Sequence, residues 1–192
     1  RIFIRDFSYS DTMLPNLVVD HRIELPDGNF SELIVNDAQQ EIYLLNPNDE
    51  TVDVYSLPYL DIKKKIPVFS EPKRAVLSSS MGELYVLLPD ESSVAVINLF
   101  SKRLVNKISV NNTFSSGQAD SIAANAGLEL VVAGQDQSHG MIIGDVNVQW
   151  PGNSSSLVAS FPSAGFAEMK TNPLSKNIYA LGNLDSTLRL LS

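Results

Sequence analysis

Residues 83–97, Glu-Leu-Tyr-Val-Leu-Leu-Pro-Asp-Glu-Ser-Ser-Val-Ala-Val-Ile, run from an apolar stretch with one aromatic through a polar turn into a second, alternating apolar stretch. Two short apolar runs joined by turn residues predict a β-hairpin. The same order occurs 42 residues earlier, where Ile42-Tyr43-Leu44-Leu45-Asn46 leads through Asp49 and Glu50 into Thr51-Val52-Asp53-Val54-Tyr55, so that Tyr43 stands where Tyr85 stands. It returns at Ile178-Tyr179-Ala180-Leu181 followed by Asp185-Ser186-Thr187-Leu188-Arg189-Leu190. Weaker copies lie at Leu130 to Ala133 with Met141 to Ile143, and at Ile2-Phe3-Ile4 with Thr12-Met13.

Working outward from these hairpins, the anchors Phe3, Tyr43, Tyr85, Val131 and Tyr179 are separated by 40, 42, 46 and 48 residues. About ten residues upstream of the last four anchors stand further runs, at Leu33-Ile34-Val35, Ala75-Val76-Leu77, Ser121-Ile122-Ala123 and Ala167-Glu168-Met169. A fourth set follows the hairpins at Ile23 to Leu25, Ile66 to Phe69, Ile108 to Val110 and Val158 to Phe161. Four short strands recurring every 40 to 50 residues are the signature of a β-propeller blade, so the expected class is all-β, with four-stranded antiparallel blades. The stretch Ile42 to Val54, with Asn46, Asp49, Thr51 and Val52, resembles the YVTN family of β-propeller repeats. The third copy keeps Tyr85, Val86, Asp90 and Val94 of that pattern but has Leu88 in place of Asn. The Trp-Asp propeller pattern is a weaker match, since the single tryptophan, Trp150, is followed by Pro151.

The repeat divides the chain into a partial blade over 1–30, blades over 31–70, 71–117 and 118–165, and a partial blade over 166–192. In the opening part, Ile2 to Ile4 reads as a second strand, Asn16 to Asp20 extends a third and Arg22 to Leu25 forms a fourth. About four and a half blades then form an arc of a larger ring, completed by further chain or by another subunit. The alanine-rich stretch Gln118 to Leu128 reads as an inner strand rather than a helix, because its offset from Val131 fits the repeat.

A chain of 192 residues that is 44% hydrophobic can bury a core, and without cysteine it forms no disulfide or thiolate metal site. No apolar run approaches the roughly 20 residues of a membrane-spanning helix. A net charge of -8 argues against a sequence-independent grip on nucleic acid. Expected partners are a protein or a glycan; no cofactor is expected. The expected location is extracytoplasmic, whether periplasmic, cell-surface or secreted.

If the loop between second and third strands and the link to the next blade share one face, that face collects Asp6, Asp11, Asp27, Asp49, Glu50, Glu71, Asp90, Glu91, Asp136 and Asp185. The opposite face then holds Lys63-Lys64-Lys65, Lys102-Arg103 and Lys176. Two readings stand: a field that focuses cations on one end, or Asp and Asn placed there by turn chemistry. His139 lies three residues from Asp136, one ligand pair where a zinc site takes three or four. The motifs of serine hydrolases, zinc peptidases, phosphate loops and EF-hands are absent. Asn29-Phe30-Ser31, Asn111-Asn112-Thr113 and Asn153-Ser154-Ser155 are glycosylation triplets in predicted loops.

The departures from the repeat, at 111–117, 135–140 and 144–152, gather in or beside the blade anchored at Val131. Trp150 in the last of them is the leading candidate contact residue, with His139 second. Two functional classes follow: a noncatalytic binding or scaffold propeller, as the YVTN resemblance implies, or the propeller subunit of a quinoprotein-type or methylamine-dehydrogenase-like oxidoreductase.

Overall fold

The computed structural model describes residues 2–6, 18–23, 29–57, 59–78, 82–114, 117–124, 130–136, 140–147, 154–161, 166–171, 178–182 and 188–191. The described residues form antiparallel sheets in chain order. Strands β1 (Ile2–Asp6) and β2 (Val18–Ile23) pair with each other. The first four-stranded sheet contains β3 (Glu32–Asn36), β4 (Glu41–Asn46), β5 (Thr51–Ser56) and β6 (Ile62–Pro67), hydrogen-bonded in that order. The second contains β7 (Arg74–Ser78), β8 (Glu83–Leu88), β9 (Ser93–Asn98) and β10 (Arg103–Ser109). The third contains β11 (Gly117–Ala124), β12 (Leu130–Asp136), β13 (Gly140–Asn147) and β14 (Ser154–Phe161). A last sheet holds β15 (Phe166–Thr171), β16 (Ile178–Gly182) and β17 (Leu188–Leu191). The only helical piece among the described residues is a 3₁₀ turn at Pro89–Glu91. Each sheet is a meander, and β3, β7, β11 and β15 meet along one side, as the inner strands of propeller blades do.

The core explains why the hairpin that decides the fold is apolar at nearly every position rather than at alternate ones. In β8, Leu84, Val86 and Leu88 face the preceding sheet and pack with Tyr43, Leu45, Val52 and Val54. Tyr85 and Leu87, on the opposite face of the same strand, pack with Ile122, Leu130, Val132 and Val146 of the following sheet. A blade in the interior of the stack is therefore a layer buried on both faces. Outer strands meet water and read differently: β6 is Ile-Lys-Lys-Lys-Ile-Pro, with only Ile66 buried. Lysine and proline on an unpaired edge oppose pairing with a second molecule.

Turn geometry repeats with the same period. Residues with positive φ fall at Gln40 and Gly82, at Glu50 and Ser92, and at Leu60 and Lys102, each pair 42 apart. These are the turn after the first strand, the turn after the second and the turn after the third. The left-handed region disfavours a residue with a Cβ by about 1 kcal/mol, so its recurrence at fixed offsets marks a shared backbone path imposed by the blade.

Several boundaries depart from those the spacing predicts. Val18–Ile23 is one continuous strand with His21 opposite Ile4, so the separate third and fourth strands expected at Asn16 to Asp20 and Arg22 to Leu25 are a single element. Ile2–Asp6 pairs directly with Val18–Ile23, the strand that precedes β3 in the chain. Fourth strands begin four to five residues before the predicted apolar runs, because the polar half of an outer strand still pairs on its inner side. For the same reason Lys63, Lys64 and Lys65 lie in β6 and not in a loop. The predicted departure at 144–152 shrinks, since β13 runs on through residues 144–147. The stretch Gly117–Ala124 is strand, as its offset predicts.

Candidate binding surface of the blade loops

The turn after each second strand and the link to the next blade lie at one end. Val68 donates its backbone N–H to the Glu50 carbonyl at 2.9 Å, and Val110 donates to the Ser92 carbonyl at 2.8 Å. At this end Asp49 is held in a turn: its N–H donates to Asn46 Oδ1, and its carboxylate accepts from Asn46 Nδ2 and, at 2.7 Å, from Lys65 Nζ. Lys107 repeats this contact one blade later, reaching Glu91 at 2.6 Å, and both lysines stand 16 residues after the acid they meet. Lys65, expected at the opposite face, thus neutralises the acidic end. That leaves Glu50, Glu71 and Asp90 without a cation among the described residues.

Asp90 lies in the Pro89–Glu91 turn and accepts a long hydrogen bond from Gln118 Nε2 at 3.4 Å. These two residues, with Glu71, Lys73 and Pro89, line an open cleft of about 250 Å³ between the second and third sheets. Lys73 is tied to Asp120 at 2.6 Å. The cleft is small, open and lined mostly by polar side chains.

The opposite end carries the features that matter most for contact. Tyr59, in the turn between β5 and β6, is 78% exposed, and Phe100, in the turn between β9 and β10, is 79% exposed. Each turn is rooted by a buried leucine, Leu60 in the first and Leu99 in the second. The third complete blade has Trp150 in the corresponding connection, which lies outside the described residues. His139, Asp185 and Asn153 also lie outside them. Asp136 is the last residue of β12, paired with Gly117 and Gly140 rather than free in a turn. Asn29 and Asn111 are exposed.

Beside the exposed aromatics is a buried ionic cluster that has no counterpart among the expected site residues. Lys102 leaves the second sheet and crosses to the first, where its Nζ donates to Glu41 Oε2 at 2.5 Å, Gln39 Oε1 at 2.8 Å and the Tyr43 hydroxyl at 2.9 Å, and to the Leu99 carbonyl. The Tyr43 hydroxyl donates to Glu41 at 2.7 Å, and Lys63 holds the other carboxylate oxygen at 3.1 Å. Burial opposes ionisation of Glu41, but the hydrogen bonds from Lys102, Tyr43 and Lys63 outweigh it and hold the carboxyl below its ordinary range. Burial, reinforced by the Glu41 carboxylate, pushes the Tyr43 phenol well up; Glu83 does the same to Tyr85, whose hydroxyl donates to it at 2.6 Å. The sequence signal for these pairs is a glutamate two residues before Tyr43 and Tyr85, on the same face of the strand; Tyr179 has Asn177 there. The cluster fastens the second sheet to the first.

No protein-family profile matches the sequence, and no curated protein does. Solved structures do. Hydrazine synthase of Kuenenia stuttgartiensis superposes with a TM-score of 0.69 at 11% identity, covering 92% of this chain and 49% of that one. The WD40 β-propeller domain of Doa1 gives 0.66 at 10% identity over 88% and 52% of the two chains. Streptogramin B lyase gives 0.58 at 10% over 88% and 56%. The chain spans about half the length of these structures, and the shared feature is the β-propeller fold.

Proposed function

We propose that this chain is part of a noncatalytic, extracytoplasmic binding or scaffold propeller of the YVTN repeat type, which contacts a protein or glycan partner through its loops. One observation carries the reading: an aromatic residue in the third-to-fourth strand turn of every complete blade, with Tyr59 and Phe100 four-fifths exposed on turns anchored by buried leucines. Large aromatics held at the surface of a rigid scaffold bring contact area at a low cost in side-chain entropy, which is why they dominate binding hot spots. Further chain or a second subunit that completes the ring belongs to the same proposal.

The oxidoreductase reading rests on fold likeness alone. Hydrazine synthase shares that likeness with a WD40 domain and a lyase, so it does not favour redox chemistry here.

Replacement of Tyr59, Phe100 and Trp150 by alanine, singly and together, tests the proposal. Exposed positions tolerate truncation within about 0.5 kcal/mol, so the thermal midpoint of each single variant should stay within about 2 °C of the parent. Proteins or glycans retained by the immobilised parent chain should be lost with the triple variant. Retention of the same set by the triple variant would sink the aromatic surface, and a collapse of stability on Trp150→Ala would make Trp150 a core residue.

A further inference from the structure

Among the described residues, two buried hydroxyls have no hydrogen-bond partner in the protein, and each stands two residues after an asparagine. Among the described residues, the buried side-chain nitrogens and oxygens without a partner are Thr113 Oγ1 and Ser155 Oγ. Their residues are 6% and 7% exposed. A buried hydroxyl without a partner is a net penalty to folding, and native structures contain few of them.

Packing accounts for the bulk of Thr113 but not for its oxygen. The side chain lies so close to the Gly144 backbone that a Cβ at residue 144 would come within 2.4 Å of Thr113 Cγ2. A valine would fill the same space, with the same branching and no polar atom to desolvate. The folded state therefore explains the shape of this residue and leaves its hydroxyl without a task.

The hydroxyl does have a task in the unfolded chain. Asn111-Asn112-Thr113 and Asn153-Ser154-Ser155 are N-glycosylation acceptor triplets, in which the Ser or Thr hydroxyl two residues after the asparagine is part of what the transferase recognises. Asn111 is exposed just after β10, and its carboxamide makes no hydrogen bond among the described residues. The third triplet supplies the contrast: Ser31 Oγ, after Asn29, donates to the Pro72 carbonyl at 2.9 Å and so has work in the fold.

We infer that Asn111 carries an N-linked glycan. Transfer precedes folding, while Thr113 is still accessible. The Asn111 carboxamide nitrogen attacks C1 of an oligosaccharide carried on a lipid diphosphate. The N–C1 bond forms as the C1–O bond breaks, the lipid diphosphate leaves with the bonding pair, and an amide proton passes to a base. The inference goes beyond the binding proposal and shares with it only the extracytoplasmic location.

The test has two arms. Protein purified from its own cells is deglycosylated enzymatically in heavy-oxygen water and digested; the peptide containing residue 111 should carry aspartate with the heavy label. Separately, Thr113→Val and Thr113→Ser are compared with the parent. In a glycosylation-competent secretory host Thr113→Ser should keep the glycan and Thr113→Val should lose it. When all three are made in a bacterial cytoplasm, Thr113→Val should melt at or above the parent temperature. An unlabelled residue 111 overturns the inference and leaves partner binding, read through Trp150→Ala, to stand or fall separately. A drop of more than about 2 °C for Thr113→Val overturns it as well, because the hydroxyl would then serve the fold.

Discussion

Glu41 keeps its charge in a place that opposes it, and the residue that makes this tolerable belongs to a different blade. Lys102 is only 17% exposed in its side chain and meets a carboxylate that is 6% exposed. Removing one member of such a pair leaves the other desolvated; Lys63 still covers Glu41 in part, so Lys102→Met should lower stability by about 2–3 kcal/mol in urea unfolding. A loss below about 0.5 kcal/mol would show the contact to be ornamental. The phenols give a second prediction. Tyr43 and Tyr85 are raised in the folded state by burial first and by their glutamates second, so the stability they support is intact below the unfolded phenol's value of about 10 and is lost as pH rises beyond it. Unfolding free energy should fall steadily above about pH 10, and the Tyr43→Phe, Tyr85→Phe pair should flatten that limb. Glu41 works in the other direction: its carboxyl is depressed, so its contribution is lost on acidification. At this scale the sequence is half legible. The period announces the tyrosines, and Glu41 and Glu83 stand two residues before two of them, while Lys102 becomes a partner only once two blades are stacked, which no local pattern encodes.

Strands are legible where both faces are buried and less so where one is wet. In the two blades over 31–70 and 71–117 the second and third strands are buried at nearly every position and are found where the spacing puts them. The fourth strands were harder to bound, since Lys63 to Lys65 and Arg103 to Asn106 look like loop yet pair along their inner edge. His21 misleads in the same way by interrupting Val18–Ile23 with polarity and not with a break in the strand. Tyr179 is only half-buried where Tyr43 and Tyr85 are buried, because no described sheet packs on the side those two tyrosines use. Gly134 in β12 shows how tightly the first two strands of the third blade fit. A Cβ there would stand 2.1 Å from the Gln118 carbonyl oxygen, beside the register shift between Ala119 and Ser121. Backbone cannot swing aside as a flexible side chain does, so Gly134→Ala should cost about 3 kcal/mol or more, measured as a shift in denaturation midpoint. A near-neutral result would mean that β11 can slide past β12.

Among the described residues the sheets pack against one another in chain order, so stability is largely a sum of layers and the contacts between them. The sheet of β7 to β10 is covered on both faces, by Tyr43, Val52 and Val54 on one side and by Ile122, Leu130 and Val132 on the other. The consequence is an order in time. In this chain by itself, amide hydrogens of β8 and β9 should exchange last with solvent deuterium, and those of β16 and β17, in a sheet of three described strands, earlier. Uniform exchange across all sheets would mean that the stack opens in a single event; a graded one would make the two-faced hairpin at residues 83–97 the slowest clock in the molecule.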